Sequence, residues 1–444
     1  MDETSLPNAD QESSILVNQL VEHALQIRHK ARPFEPGITH IPVSGKIFGE
    51  TEIRAAVEAS LDFWLTSGPY TEEFERRLAR YFGLRTALMV NSGSSANLLA
   101  ISSLTSPRLG ERQLVKGDEV ITVAAGFPTT VAPIIQNGLV PVYIDINLGT
   151  YVAQESLIEE AISKRTKAIM MAHTLGNPFN LDLVMKLAKK YNLWVVEDNC
   201  DALGGRFNNQ LLGSFGDLST LSFYPAHHIT TGEGGAVLAK TTALKPILES
   251  FRDWGRDCWC KPGCDNTCTK RFGWKLGELP EGYDHKYIYS HLGYNLKSGD
   301  IQAAIGLAQL ERLPYFIQKR KENWQFLHNG LKDLEEFLIL PEKTNNSDPS
   351  WFGFAITVRH NSPKNRSEIV KFLDSQNIGT RQLFGGNLLR QPGFIGTPKR
   401  VVGNLHNTDV VMNDTFWIGV WPGLDEKSLT FMINSLKKVI RDVP

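Results

Sequence analysis

Two adjacent histidines and a cluster of cysteines are the side chains of this sequence best suited to chemistry. His227 and His228 lie at the centre of LSFYPAHHITTGEGG, residues 221–235, and the glycines that crowd its second half suit a backbone pressed against a ligand. Four of the five cysteines follow in CWCKPGCDNTC, residues 258–268. Imidazole exchanges protons near neutral pH, and clustered thiolates bind metals. These residues predict a proton-transfer site beside an electron-transfer site.

Composition and charge limit the classes of protein to which the chain belongs. A chain of 444 residues is too long for one small hydrophobic core, so we expect two or three domains. With 47 basic and 48 acidic residues, the net charge of −1 gives no reason to expect a nucleic acid or an anionic membrane as partner. No stretch approaches the ~20 apolar residues of a membrane helix, and the polar N-terminus does not resemble a signal peptide. We therefore expect a cytoplasmic protein, in which reduced cysteines favour metal or redox chemistry over disulfides.

Strands and helices alternate from residue 86 onwards, which predicts an α/β fold. Seven short apolar runs between residues 86 and 238 alternate with helical patterns, as in a mainly parallel sheet that is covered on both faces. A further helical pattern at 298–317 continues, after a break at Pro314, to about residue 331. The predicted domains are an N-terminal arm at 1–45 with a helix at 13–30, a large domain at 46–312 with a cysteine-rich insertion near 255–290, and a small α+β domain at 313–444.

The segment NSGSSAN, residues 91–97, lies between a predicted strand and a predicted helix. Gly93 permits a tight turn, and free N–H groups at the start of a helix bind anions, so phosphate is a natural ligand here. An N-capped helix after a turn explains the same residues without any ligand.

Two further strand ends carry side chains that suit a flat cofactor. Asp198, in the segment EDNCD, follows a buried strand, where its carboxylate could hold a cationic ring nitrogen or cap the next helix. Phe127, in AGFP, follows another strand, where its ring could stack on a cofactor or belong to the core. Each of the three signals is weak alone, but all fall at carboxyl ends of strands, where one ligand could touch all of them.

From about residue 40, nearly the whole chain resembles the sugar aminotransferase and dehydratase family of pyridoxal-phosphate fold type I enzymes. The resemblance rests on NSGSSAN, the GFP after a strand, EDNCDALGG, SFYPAHHITTGEGG, and GYN at 293–295 leading into DIQAAIGLAQLERL. It implies a large domain with a mainly parallel seven-stranded sheet, a smaller α+β domain, and a homodimer or larger assembly. It also implies the cofactor-binding residues, which are Gly93, Ser94, Ser95 and Ser222 at the phosphate, Phe127 stacked on the ring, Asp198 at the pyridine nitrogen, and Asn295 at the cofactor of a neighbouring subunit.

The chain departs from the family at one informative position. Family aminotransferases carry there the lysine that bonds covalently to the cofactor, whereas this chain has His227. Imidazole cannot form a stable anchor of that kind, so we expect pyridoxamine 5'-phosphate as the resident cofactor and His227 as the base that removes its methylene proton. A loop histidine with a purely structural role is the alternative. His228 receives no assigned role.

The five cysteines all lie between residues 200 and 268. Four thiolates suit zinc or a [2Fe–2S] cluster, and spacing alone does not choose between them. Local spacing favours Cys264 as a ligand, because Cys260, Cys264 and Cys268 follow at regular intervals. The resemblance to the iron–sulfur branch of the family implies a different set of ligands for a [2Fe–2S] cluster, namely Cys200, Cys258, Cys260 and Cys268. Cys200 lies two residues after Asp198, which would place such a cluster near the cofactor ring.

The resemblance further implies a reaction, the C3 dehydration of CDP-4-keto-6-deoxyglucose on the route to the 3,6-dideoxysugars of surface polysaccharides. His227 would act as the base, and a separate NADH-dependent flavin and iron–sulfur reductase would supply the electrons. The segment GEGG, residues 232–235, lacks the spacing of a GxGxxG nicotinamide fingerprint, which fits an external electron donor. No residue identifies the nucleotide, so the CDP assignment depends on the resemblance alone.

Two alternatives stay open at this point. The first is a pyridoxamine-phosphate sugar 3-dehydratase that needs no external electrons; its chemistry requires no metal, so the cysteine set argues against it. The second is a non-catalytic, aminotransferase-like protein with a structural zinc. Retention of Gly93, Asp198, Ser222 and Asn295 argues against this second alternative.

Overall fold

The computed structural model describes residues 11–28, 33–260 and 263–441. The first ten residues of the predicted arm, the end of its predicted helix at 13–30, and residues 261–262 of the cysteine segment lie outside the described residues. The α-helices are α1 (Gln11–Arg28), α2 (Glu50–Leu61), α3 (Pro69–Tyr81), α4 (Gly93–Ser103), α5 (Pro128–Gln136), α6 (Glu155–Glu160), α7 (Leu181–Tyr191), α8 (Lys245–Arg252), α9 (Asp300–Leu331), α10 (Arg366–Ser375), α11 (His406–Asp414) and α12 (Glu426–Arg441). None of these helices combines the length and apolar character that a membrane span requires.

The β-strands of the described residues form three sheets. They are β1 (Thr86–Val90), β2 (Glu119–Val123), β3 (Val140–Ile144), β4 (Thr166–Ala172), β5 (Trp194–Asp198), β6 (Arg206–Phe207), β7 (Gln210–Leu211), β8 (Leu218–Ser222), β9 (Gly235–Ala239), β10 (Leu338–Ile339), β11 (Ser347–Asp348), β12 (Gly353–Val358), β13 (Arg400–Val401) and β14 (Thr415–Gly419). The two smaller sheets have the orders β10-β12-β14 and β11-β6-β7.

The central sheet has eight strands in the order β1-β9-β8-β5-β4-β2-β3-β13. β9 is antiparallel to its neighbours β1 and β8, and the other pairs are parallel. Seven of these strands are the ones expected from the sequence, and the two-residue β13 adds an edge. The predicted α/β fold with a mainly parallel sheet is confirmed.

Five strands of this sheet are buried along their whole length because helices cover both of its faces. Every residue of β1, β2, β5, β8 and β9 is buried. Successive side chains point to opposite faces, so Val195 and its neighbour Val196 pack into two different core clusters.

The long helix α9 connects the central sheet to the C-terminal part of the chain. Leu307 and Leu313 pack in the cluster under the central sheet, whereas Leu327 packs with the small sheet β10-β12-β14. The predicted break at Pro314 is wrong, since the helix runs through this residue without interruption. Proline removes one N–H from the helix ladder, and packing at both ends of α9 keeps the helix intact. The predicted domain boundary at 312–313 lies inside α9 and stays a prediction.

The carboxyl ends of the parallel strands gather the predicted site residues at one edge of the sheet. Asp198 ends β5 and Ser222 ends β8. Helix α4 begins at Gly93 shortly after β1, and α5 begins directly after Phe127. The antiparallel β9 starts at the same edge, with Gly235 opposite Ser222.

Candidate active site

Asp198 is a buried carboxylate held by neutral donors. Its Oδ2 accepts hydrogen bonds from Asn97 Nδ2 at 2.9 Å and from the Thr130 hydroxyl at 2.6 Å. Its Oδ1 accepts from the backbone N–H of Cys200 at 3.2 Å, and the residue is 4% exposed. Because these donors carry no charge, they leave the negative charge of the carboxylate uncompensated. A protonated ring nitrogen is a suitable partner for it.

The donors to Asp198 belong to a network that crosses four elements. The Thr220 hydroxyl of β8 donates to Asn97 Oδ1 at 2.6 Å, which fixes the amide of Asn97 in the orientation that points its N–H groups at β5. Thr130 belongs to the first turn of α5. Neither threonine is predicted from the sequence, although Thr220 lies two residues before Ser222 and therefore on the same face of β8.

The start of α4 packs closely against β8 and β9. Ser92 caps this helix, because its hydroxyl accepts from the Ser95 N–H at 3.0 Å. A Cβ on Gly93 would lie 2.5 Å from the Cβ of Ser222, and a Cβ on Gly235 would lie 2.5 Å from the backbone of Ser92. Glycine is therefore required at both positions. The N-capped helix that the sequence suggested is therefore present. The N-terminus of such a helix can also bind an anion, and phosphate binding there stays a prediction.

Phe127 and Ser94 lie at the two helix starts that flank this edge of the sheet. Phe127 is 46% exposed and contacts Phe384 edge-on, with ring centroids 6.0 Å apart. Its ring therefore keeps a surface free for a planar ligand. The Ser94 hydroxyl of α4 donates to the Thr129 hydroxyl of α5 at 3.1 Å, which ties the two helix starts together.

His227 lies in the loop after β8 and contacts the segment that follows β5. Its imidazole lies against the backbone of Cys200, and its Nδ1 is 3.5 Å from Oδ1 of Asp201. The ring packs on Phe352 with centroids 5.0 Å apart. Burial, assisted by the cation of Arg320, lowers the pKa of His227 to about 4. The imidazole is therefore neutral at neutral pH and able to accept a proton.

Asp201 is the closest acidic neighbour of the His227 ring. Burial, and then the nearby charge of Asp198, raise the pKa of the Asp201 carboxyl to about 8. At neutral pH both His227 and Asp201 are therefore mostly uncharged, and their 3.5 Å separation is too long for a strong hydrogen bond. Asp201 stands inside the segment EDNCD, but the sequence alone assigns it no role.

His228 has a different environment from its neighbour. Its Nε2 lies 3.0 Å from the carbonyl oxygen of Ser350, and the residue is buried. Burial lowers the pKa of His228 well below its usual value. This side chain links the loop after β8 to the C-terminal part of the chain.

Asn295 is exposed on the loop that precedes α9. The loop is tied to the end of β1 by the hydrogen bond from the Asn91 N–H to the Leu296 carbonyl at 2.8 Å. Leu292, on the same loop, is 96% exposed. The predicted contribution of Asn295 to the cofactor of a neighbouring subunit stays a prediction.

Three of the four cysteines predicted to bind a cluster interact with one another, and the predicted ligand set stays a prediction. Cys260 contacts the thiols of both Cys258 and Cys268, and its backbone N–H donates to Cys258 Sγ at 3.4 Å. The thiol of Cys200 lies beside Asp198. Within the described ranges there is no group of three or more His, Cys, Asp or Glu side chains arranged to hold a metal ion.

Comparison with known proteins shows that the chain is similar to enzymes of sugar biosynthesis. Residues 47–437 match the model of the DegT/DnrJ/EryC1/StrS aminotransferase family. The chain is 58% identical to lipopolysaccharide biosynthesis protein RfbH of Salmonella typhimurium, over 97% of this chain and 98% of that protein. It is 54% identical to dTDP-4-dehydro-2,6-dideoxy-D-glucose 3-dehydratase of Saccharopolyspora spinosa, over 92% of this chain and 88% of that protein.

One solved structure with the same fold contains a form of pyridoxal phosphate (PLP). The structure of E. coli GDP-4-keto-6-deoxy-D-mannose-3-dehydratase with bound hydrated PLP superposes with a TM-score of 0.80. It is 30% identical to this chain and covers 91% of this chain and 100% of its own.

The network around Asp198 can be tested by removing one hydroxyl. The variant Thr130→Val should weaken binding of pyridoxamine 5'-phosphate about tenfold, because the carboxylate loses its shortest hydrogen bond. Fluorescence titration gives the Kd. The matched control is Thr122→Val, a buried threonine of β2 whose hydroxyl has no hydrogen-bond partner in the described part of the chain. Equal affinities for wild type and Thr130→Val would contradict the role of this network.

Proposed function

Because the chain belongs to the DegT/DnrJ/EryC1/StrS aminotransferase family, we propose that it is a pyridoxamine 5'-phosphate-dependent 3-dehydratase of nucleotide-linked 4-keto-6-deoxysugars. The chain is an enzyme of deoxysugar biosynthesis with the type I fold, and its cofactor is of the pyridoxal-phosphate type. Two of the relatives, at 54% and 30% identity, bear the names of sugar-nucleotide 3-dehydratases. Those names support dehydration over amino transfer.

The imidazole of His227 is the observation that carries the proposal. It stands where family aminotransferases have their lysine, it is neutral at neutral pH, and it contacts the segment that follows Asp198. A neutral imidazole accepts protons but offers no primary amine to bond with an aldehyde. Such a site suits a cofactor that is bound in its amine form.

The residues of the site fit that cofactor. Pyridoxamine 5'-phosphate, when bound, supplies an amine for the C4 ketone of the sugar and an electron sink for the loss of the C3 hydroxyl. Asp198 would keep the ring nitrogen protonated, Phe127 would cover one face of the ring, and Ser222 with the start of α4 would hold the phosphate. His227 would take a proton from the methylene carbon that bears the amine.

Deoxygenation at C3 requires reducing equivalents from elsewhere. Replacing the C3 hydroxyl by hydrogen consumes two electrons and two protons and releases one water. Asp198 and Phe127 would bind the cofactor ring, and His227 would move a proton. None of these three residues supplies electrons. The sequence resemblance supports a separate NADH-dependent flavin and iron–sulfur reductase as the source of the electrons, which would leave the cofactor in its amine form.

The finer form of the proposal concerns the nucleotide and the cluster. It names CDP-4-keto-6-deoxyglucose as substrate and a [2Fe–2S] cluster on Cys200, Cys258, Cys260 and Cys268, as in CDP-6-deoxy-L-threo-D-glycero-4-hexulose-3-dehydrase. The sequence resemblance and the contacts among three of these thiols support it. In the part of the chain that the structure describes, these thiols are not arranged around a metal position, and the ligand set rests on the resemblance.

A second candidate function is the electron-independent reaction that the sequence leaves open. A pyridoxamine-phosphate 3-dehydratase that works without external electrons needs no metal, because the amine cofactor would supply the two electrons and glutamate would then regenerate its amine form. The Salmonella and Saccharopolyspora relatives, at 58% and 54% identity, are more similar to this chain than the E. coli GDP-sugar enzyme at 30%. Metal content distinguishes the two candidates.

Replacing the proposed base should stop the reaction without releasing the cofactor. In His227→Asn, dehydration should fall by about 100-fold or more, because general base catalysis typically contributes that much. Exchange of the cofactor's methylene protons with deuterated solvent, followed by NMR, measures the step directly. His228→Asn is the control, since His228 bonds to Ser350 and should affect stability more than turnover. Normal turnover in His227→Asn would remove this residue from the mechanism.

The cysteine set predicts a separable effect on iron. Cys258→Ala should lose iron and sulfide while exchange of the methylene protons continues, because the cluster and the base are different groups. Iron and sulfide analysis with EPR of the dithionite-reduced protein measures this. Cys264→Ala, outside the predicted ligand set, should retain iron. Wild-type protein without iron would reject the cluster and favour the electron-independent reaction, and loss of iron and exchange together would indicate a folding role for Cys258.

A further inference from the structure

Arg320, in the middle of α9, is among the largest fully buried side chains of the protein, with 1% of its surface exposed. Its Nη1 donates to the carbonyl oxygens of Trp351 at 3.2 Å and Phe352 at 3.4 Å. Its Nη2 donates to the carbonyl oxygens of Ala226 at 3.5 Å and His227 at 3.2 Å. Burial lowers the pKa of Arg320 to about 10, so the side chain remains a cation at neutral pH.

The surroundings of this guanidinium are not those of an ordinary buried ion pair. In the described ranges no carboxylate lies within ion-pair distance of Arg320. Asp201 is the nearby acidic group, and its charge partly offsets the lowering of the Arg320 pKa by burial. Its Nε has no hydrogen-bond partner among the same residues. A buried cation that is compensated by carbonyl dipoles is unfavourable relative to an apolar side chain of the same size. Helix packing alone therefore does not explain an arginine at this position.

The four carbonyl groups belong to two segments that meet at the candidate base. Ala226 and His227 lie in the loop after β8, while Trp351 and Phe352 directly precede β12. The side chain of Phe352 supports the imidazole of His227, with ring centroids 5.0 Å apart. Arg320 thus holds the backbone of His227 and also the backbone of Phe352, whose ring packs against the imidazole.

We propose that Arg320 is a positioning residue that holds the imidazole of His227 at a fixed distance and angle from the reacting carbon. This role rests on the proposed function of His227 as the base. A displacement of about 1 Å in a reacting group lowers a rate by about 100-fold. Loss of the clamp should therefore lower kcat. The KM and the cofactor affinity should not change, because Asp198 and the start of α4 hold the cofactor without contacting Arg320.

Two substitutions at this position separate charge from geometry. Arg320→Met keeps much of the length of the side chain and removes both the charge and the donors. Arg320→Lys keeps the charge, but its donors lie on a single nitrogen and cannot reach all four carbonyl groups. We expect kcat to fall about 100-fold in Arg320→Met and by a smaller factor in Arg320→Lys.

Asn323→Leu is the matched control on the same helix. Asn323 is buried, and its Nδ2 donates to the carbonyl oxygens of Val420 at 3.3 Å and Trp421 at 3.0 Å. It therefore clamps backbone as Arg320 does, but at a place away from the loop of His227. Asn323→Leu should lower the melting temperature and leave kcat unchanged.

Steady-state kinetics, cofactor titration and amide hydrogen exchange of the peptide covering 224–229 provide the readouts. The proposal predicts a lower kcat, unchanged KM and Kd, and faster exchange of this peptide in both Arg320 variants. A wild-type kcat in Arg320→Met, or an equal fall of kcat in Asn323→Leu, would overturn it. If Arg320→Met does not fold, Arg320→Lys decides in the same way. A wild-type protein without dehydratase activity would instead reject the proposed function, and the positioning role with it.

Discussion

The buried negative charge of Asp198 is the constraint on which the rest of the site depends. It lies at the carboxyl end of a central strand, held by neutral donors from α4, α5 and the following turn. The hydroxyl of Thr220 sets the orientation of one of those donors. A charge held in this way attracts a cationic ring, and it also acts on its neighbours. Burial raises the pKa of Asp201 and the charge of Asp198 raises it further, while the same charge opposes the effect of burial on the pKa of His227.

The candidate base reaches this charge from a different part of the chain. His227 follows β8, but the ring that supports it and the guanidinium that holds its carbonyl come from the region after residue 319. The continuity of α9 through Pro314 matters for this reason, because Arg320 lies less than two turns further on. A break at the proline would move the guanidinium away from the loop that it holds. Fold and proton transfer are thereby linked through one helix.

The sequence predicts the parts of this arrangement that depend on local pattern. Apolar runs of five residues identify the strands, and their parallel order brings Gly93, Phe127 and Asp198 to one edge. The continuity of α9 is missed because a proline is judged by its local effect, whereas packing at both ends decides it. Arg320 is missed because an arginine in a helical pattern is normally at the surface. The contacts among Cys258, Cys260 and Cys268 depend on a loop path that residue spacing does not specify.

In the proposed mechanism, the imidazole at residue 227 leaves the cofactor without a covalent anchor. Borohydride reduction of the protein loaded with pyridoxal 5'-phosphate, followed by peptide mass spectrometry, tests it most directly. The wild type should carry no stoichiometric phosphopyridoxyl group, and the variant His227→Lys should gain one at residue 227. The opposite result is one phosphopyridoxyl group per wild-type chain on a single lysine, with labelling that pyridoxamine 5'-phosphate blocks. It would show that the cofactor has a covalent anchor.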